Sequence, residues 1–165
     1  MIGWFIDKVN VMQVHDQELP YLGKNGALEY DLFTGETSNV LKVQGKFPVK
    51  SSFSTSLRVH CDGSRVYMEG NPSRFGRCEN LFGLTSLEDC IAVYNHVLLQ
   101  LGLPPFTTGR FEFLQGKEHE KQKKHYSGAV FTHIDVTKNH MVDSGNCYAF
   151  LRALATLSLP NGKQP

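Results

Sequence analysis

The stretch from Thr85 to Pro105 constrains the fold most. Leu87, Ile91, Tyr94, Leu98 and Leu101 recur at steps of four, three, four and three, which lines one side of a 3.6-residue helix with apolar groups. Thr85 stands three residues before Glu88 in a capping-box arrangement, and Gly102 followed by Pro104-Pro105 supplies a stop, since Gly accepts the left-handed closing conformation and Pro cannot extend a helix. A helix with one apolar stripe has to cover another surface, so core packing rather than cofactor binding is the reading of these five side chains.

The residues before the helix supply that surface. Trp4 to Val14 alternates loosely between apolar and polar residues. Gly26–Phe33 and Val40–Gln44 flank a turn-prone Thr34-Gly35-Glu36-Thr37, which reads as a hairpin. Ser56–Cys61 and Arg65–Glu69 are joined by Asp62-Gly63-Ser64, where Gly provides the positive φ of a tight strand reversal. Beyond the helix, Arg110–Leu114 and Gly128–Thr137 read as two more strands around a charged hairpin tip, Gly116–His125. A second helix is expected to start near Asp143 or Ser144 and to bury Phe150, Leu151, Leu154 and Leu157. The order of strands, helix, two strands and helix predicts an α+β fold, an antiparallel sheet with two main helices packed on one face. One domain is expected over residues 1–157, with 158–165 a turn-rich tail or the start of a connection to a further element, as in a fragment or a truncated product.

At 165 residues with 41% hydrophobic and 20% charged content, the chain can bury a core and is not disordered. No apolar run approaches the roughly 20 residues that span a bilayer, and Met1–Lys8 lacks the basic flank and apolar core of a signal peptide. Cys61, Cys78, Cys90 and Cys147 are scattered, without the close pairs of a zinc site or redox dithiol. Ordinary thiols in a reducing cytosol are the expectation.

The chain's net charge of +1 conceals an asymmetry. Between Lys42 and Arg77 seven basic residues face two acidic ones, so this sector carries +5 and the other residues −4. Lys42, Lys46, Lys50, Arg58, Arg65, Arg74 and Arg77 are candidates for phosphate contact; a solvated sheet face is the alternative. Within Gly70-Asn71-Pro72-Ser73-Arg74-Phe75-Gly76-Arg77 two arginine forks flank an aromatic ring, a pattern suited to phosphate and to an unpaired base, or simply to a loop leaving the sheet. Phosphate-binding Gly-rich loops, HExxH and Gly-x-Ser-x-Gly are absent from the sequence, which removes the main supports for nucleotide hydrolysis, zinc proteolysis and α/β-hydrolase chemistry. Histidines gather late, at His119, His125, His133 and His140. On a strand His133 and Asp135 share a face, so they could ligate one divalent cation or form a metal-free hydrogen-bonded pair.

Three segments together resemble one family. Tyr67 to Leu87, with its Gly70-Asn71-Pro72, basic residues, Asn80, Leu81-Phe82 and Gly83, is similar to a stretch of the filamentous-phage replication initiators, the gene-two-type rolling-circle proteins. Phe131-Thr132-His133-Ile134-Asp135-Val136-Thr137 looks like that family's later Arg-Ile-Asp-x-Thr strand, with His133 where the family more often has Arg. Trp4, following Ile2, is similar to its opening strand. The resemblance implies the amino-terminal part of a rolling-circle initiator that binds and nicks phage origin DNA in the cytoplasm of a bacterial host. It also implies a Mg²⁺ or Mn²⁺ ion, which His133 and Asp135 would hold, and a tyrosine nucleophile. Tyr148, in the second helix, is the candidate after His133, with packing as the alternative; family members are longer and carry further Tyr and Lys residues. A catalytically silent DNA-binding module from a shortened gene and a phage interaction domain without a nucleic-acid role are the competing readings.

Overall fold

The computed structural model describes residues 3–37, 42–51, 53, 55–114 and 123–156. In chain order the elements are β1 (Trp4–Val14), β2 (Tyr21–Leu22), β3 (Asn25–Ala27), β4 (Lys42–Gln44), β5 (Phe47–Lys50), β6 (Ser56–Asp62), β7 (Arg65–Gly70), α1 (Leu87–Gln100), β8 (Phe111–Leu114), β9 (Lys123–Tyr126), β10 (Val130–Lys138) and, after a 3₁₀ turn at Ser144–Asn146, α2 (Cys147–Thr156). The main sheet is antiparallel, ordered β10-β1-β7-β6-β2, with β5 also paired to β6. β3–β4 and β8–β9 form separate two-stranded ribbons. Among the described residues no helix is long and apolar enough to cross a membrane.

Period-two alternation decides which face is buried. Val9 and Val11 of β1, Leu57, Val59 and Cys61 of β6, and Val66 and Met68 of β7 are fully buried on one side. There they meet Cys90, Tyr94, Val97 and Leu98 of α1, also fully buried. Leu87, Ile91 and Leu101 of the expected stripe are partly buried against the same core. The buried Tyr94 hydroxyl donates to the carbonyls of Val9 (2.7 Å) and Gly70 (3.1 Å), which are register partners on β1 and β7; burial there drives its pKa upward.

Local chemistry accounts for the element ends. Ser86, not Thr85, caps α1: its Oγ accepts from Asp89 N–H at 3.1 Å and donates to the Asp89 carboxylate at 2.7 Å. The capping box is therefore shifted by one residue, because Ser86 is the last residue with extended backbone. At the other end Gly102 sits at φ 71° while Leu103 N–H bonds to Leu98 O and Gly102 N–H to Leu99 O, the paired bonds of a Schellman closure. Gly63 at φ 98° turns β6 into β7, and the Asp62 carboxylate accepts from the N–H groups of Ser64 and Arg65.

Two further expectations are corrected. Lys123–His125, expected within a charged tip, belong to a strand, Lys123–Tyr126, paired to Phe111–Leu114; the other residues of that expected tip, His119 among them, lie outside the described residues. The expectation that both helices pack on one face holds for α1 only. α2 has no buried residue, with Phe150 43% and Leu151 57% exposed and Leu154 half-buried; Leu157 lies outside the described residues. Amphipathicity gives α2 an apolar side without fixing what that side meets. All four cysteines are free, Cys61 and Cys90 buried and Cys78 and Cys147 exposed.

Candidate nucleic-acid interface

Because α1 covers one face of the sheet, the alternate residues of its strands stand on the opposite, open face. Register runs one row of them straight across four strands: His133 on β10, Asn10 on β1, Glu69 on β7 and Arg58 on β6. A second row is Met12, Tyr67 and His60, and Lys8 stands opposite Asp135. The β4–β5 turn leans over this face, with the Gly45 carbonyl 2.9 Å from His60 Nδ1 and Lys46 Nζ 4.4 Å from the centroid of the Tyr67 ring.

Glu69 organises the basic half. It is only 6% exposed, although it lies on the open face, because neighbouring side chains close over it. One carboxylate oxygen takes Arg58 Nε at 2.8 Å; the other takes Lys46 Nζ and the Tyr67 hydroxyl, the latter at 2.9 Å. Burial alone would push the carboxyl pKa up. The hydrogen bonds from Lys46 and Tyr67 and the charges of Arg58 and Lys46 outweigh it, and the carboxyl titrates below its usual range. Beside this cluster lies a shallow depression of about 330 Å³ lined by Met12, Lys46, His60, Asp62, Arg65 and Tyr67.

The basic sector of the sequence therefore divides in space. Lys46, Lys50, Arg58 and Arg65 stand on the open face. Lys42 is on the β3–β4 ribbon, paired with Glu29. Arg74 is exposed in the loop after β7, its backbone N–H held by Asn71 Oδ1 at 2.8 Å. Arg77 is bound to Glu79 and reaches the Ser73 carbonyl at 3.5 Å, while Phe75 packs against the core rather than standing free. That loop is fastened from below by Asp7, whose Oδ1 accepts from Asn71 (2.6 Å) and Asn80 (3.0 Å).

At the other edge His133 Nε2 and Asp135 Oδ1 are 2.8 Å apart, both half exposed. The pair bonds to itself, as the metal-free reading of the sequence allows. Its donor set would also suit a divalent cation, since imidazole and carboxylate share one face with Asn10 opposite, whose Oδ1 is buried without a hydrogen-bond partner. Among the described residues no group of three or more His, Cys, Asp and Glu side chains gathers around one metal position. Tyr148 is 73% exposed on α2, with the Arg152 guanidinium 5.8 Å from its ring centroid. No hydrogen bond joins it to His133 or Asp135 among the described residues. His140 is exposed.

Sequence reasoning passed over Glu69, Tyr67 and Asn10. The signal was present for the first two: Glu69 is one of two acidic residues in a basic sector, two positions from Tyr67 and on the same side of the hairpin that Asp62-Gly63-Ser64 predicts.

An antiparallel sheet covered by a helix on one side and carrying cations, an aromatic ring and a His-Asp pair on the other is the class of protein that fold and face define. Over 101 residues the chain is 40% identical to the replication-associated protein of Escherichia phage If1, a match covering 61% of this chain and 31% of that protein. The chain thus spans about a third of that relative's length. The likeness shows the resemblance to filamentous-phage gene-two-type replication proteins that the sequence segments carry. No protein-family model matches the chain, and no solved structure does.

Proposed function

We propose that the chain serves phage DNA replication as the part of a rolling-circle initiator that engages origin DNA, and that the open sheet face is where the strand lies. The carrying observation is the row His133, Asn10, Glu69 and Arg58, which sets a cationic half and a candidate ion-binding edge on one uncovered surface. The likeness to the phage If1 protein supports the replication role. Phosphates would meet Lys46, Lys50, Arg58 and Arg65, while Glu69 fixes the geometry of Lys46 and Arg58 and takes up part of their charge.

A Mg²⁺ or Mn²⁺ ion held by His133, Asp135 and Asn10 would withdraw charge from a phosphate under attack. The chain's own contribution at that edge is the hydrogen bond that sets the imidazole against Asp135, with the buried, unpartnered amide oxygen of Asn10, the register partner of His133. Nicking needs a hydroxyl nucleophile, and Tyr148 is the exposed candidate on this chain.

Conversion of supercoiled phage replicative-form DNA to open circles, with and without Mn²⁺, tests the reading beside a binding titration. Ion-dependent nicking that Asp135→Asn suppresses supports it fully. Binding without nicking limits the chain to holding origin DNA, and binding to no DNA rejects the reading.

A further inference from the structure

The depression at the β6–β7 end of the open face has features that phosphate contact alone does not require. Its floor is apolar, from the Met12 side chain and the Tyr67 ring, which are opposite one another on β1 and β7. Its rim is cationic, from Lys46 and Arg65. His60 adds a ring whose Nδ1 is engaged by the Gly45 carbonyl, which leaves Nε2 for a ligand. Asp62 Oδ1 is occupied by the turn N–H groups of Ser64 and Arg65. At about 330 Å³ the hollow falls in the range of small-molecule sites.

We propose that this depression is a nucleotide subsite that takes one unpaired nucleotide of a DNA strand, with the base against Met12 and Tyr67 and the phosphate on Lys46 and Arg65. The assignment rests on the reading of the open face as the DNA surface and narrows it to single-stranded substrate at this point. A base paired and stacked within a duplex has both faces covered and cannot enter a hollow floored by a ring and a thioether, whereas an unpaired base offers a π-face that an aromatic side chain accepts with little regard to sequence. In the free protein Lys46 occupies the Tyr67 ring and is drawn to Glu69. A nucleotide phosphate at the rim competes with Glu69 for that ammonium, and its departure uncovers the ring for the base. Lys46 and Glu69 therefore close the empty subsite, and the ligand opens it.

The ¹⁵N-labelled chain is titrated with deoxyadenosine monophosphate, and binding of an oligonucleotide of roughly a dozen bases is compared, single-stranded and duplex, at one salt concentration. Variants are Arg65→Gln, at the rim, and Lys50→Gln, on the same face outside the depression. The subsite predicts resonance shifts centred on Met12, His60 and Tyr67, and single-strand affinity about 10-fold or more above duplex affinity. Arg65→Gln should weaken single-strand binding by about 5-fold or more while duplex binding changes less than about 2-fold, and Lys50→Gln should weaken both alike. DNA binding in which Arg65→Gln and Lys50→Gln act equally on both substrates, or a mononucleotide that moves no resonance in the depression, overturns the subsite and leaves the DNA face standing. Absence of binding to either DNA overturns both.

Discussion

Glu69 concentrates several opposing effects in one side chain. A nearly buried carboxylate is costly unless its partners compensate, and Lys46, Arg58 and Tyr67 do so by direct hydrogen bonds. Its pKa is lowered on folding. The stabilisation it contributes is thus fully present above the range in which an unfolded glutamate titrates, and is lost as pH falls through the lower, folded value. Glu69→Gln should flatten that acid-side loss and cost about 1–3 kcal/mol at neutral pH, because the cations and hydroxyl around it lose a charged acceptor. Urea unfolding of both proteins between neutral and acidic pH measures this; parallel curves would show that Glu69 is not coupled to folding. Residues of this kind were poorly legible in the sequence. An acidic residue in a basic sector reads as dilution of charge until the hairpin register sets it against Arg58. Asn10 carried no signal at all, since an unpartnered amide is a property of the packed neighbours and not of the residue. His133 and Asp135 were legible because i and i+2 on a strand must share a face.

At the scale of elements, local rules succeeded where the information was local. The Asp62-Gly63-Ser64 reversal and the apolar stripe of α1 are fixed by turn chemistry and helical period, and both stand in the structure. β9 was hidden because Lys123–Tyr126 is held as a strand by its partner β8 rather than by its own charged composition. The contrast between the helices gives a direct comparison. Leu98, fully buried in α1, should lose about 2–5 kcal/mol as Leu98→Ala through lost burial and a cavity. Leu151, more than half exposed on α2, should change stability by less than about 0.5 kcal/mol as Leu151→Ala. Comparable losses in denaturant unfolding would mean that α2 packs after all. The shifted cap makes a finer distinction: Ser86→Ala should cost about 1 kcal/mol and Thr85→Ala much less, and the reverse order would restore the cap read from the sequence.

For the whole molecule, the division of one sheet into a buried and an open face links fold to function. α1 and the apolar residues of β1, β6 and β7 form one buried core. The residues between them stand on the open face, and the basic sector that looks continuous in sequence becomes a face, a ribbon and a loop. Arg77, tied to Glu79 and the Ser73 carbonyl, should contribute less to DNA binding than exposed Arg74. Arg74→Ala with Arg77→Ala should therefore reduce the salt slope by about 1 rather than 2. The most direct measurement is the slope of log affinity for DNA against log salt concentration for the wild type, for Lys50→Gln with Arg65→Gln on the open face, and for Lys42→Gln on the β3–β4 ribbon. If the open face carries the strand, the double variant should lower the slope by about 2 while Lys42→Gln leaves it nearly unchanged. A slope untouched by the double variant, or lowered as much by Lys42→Gln alone, would contradict the account.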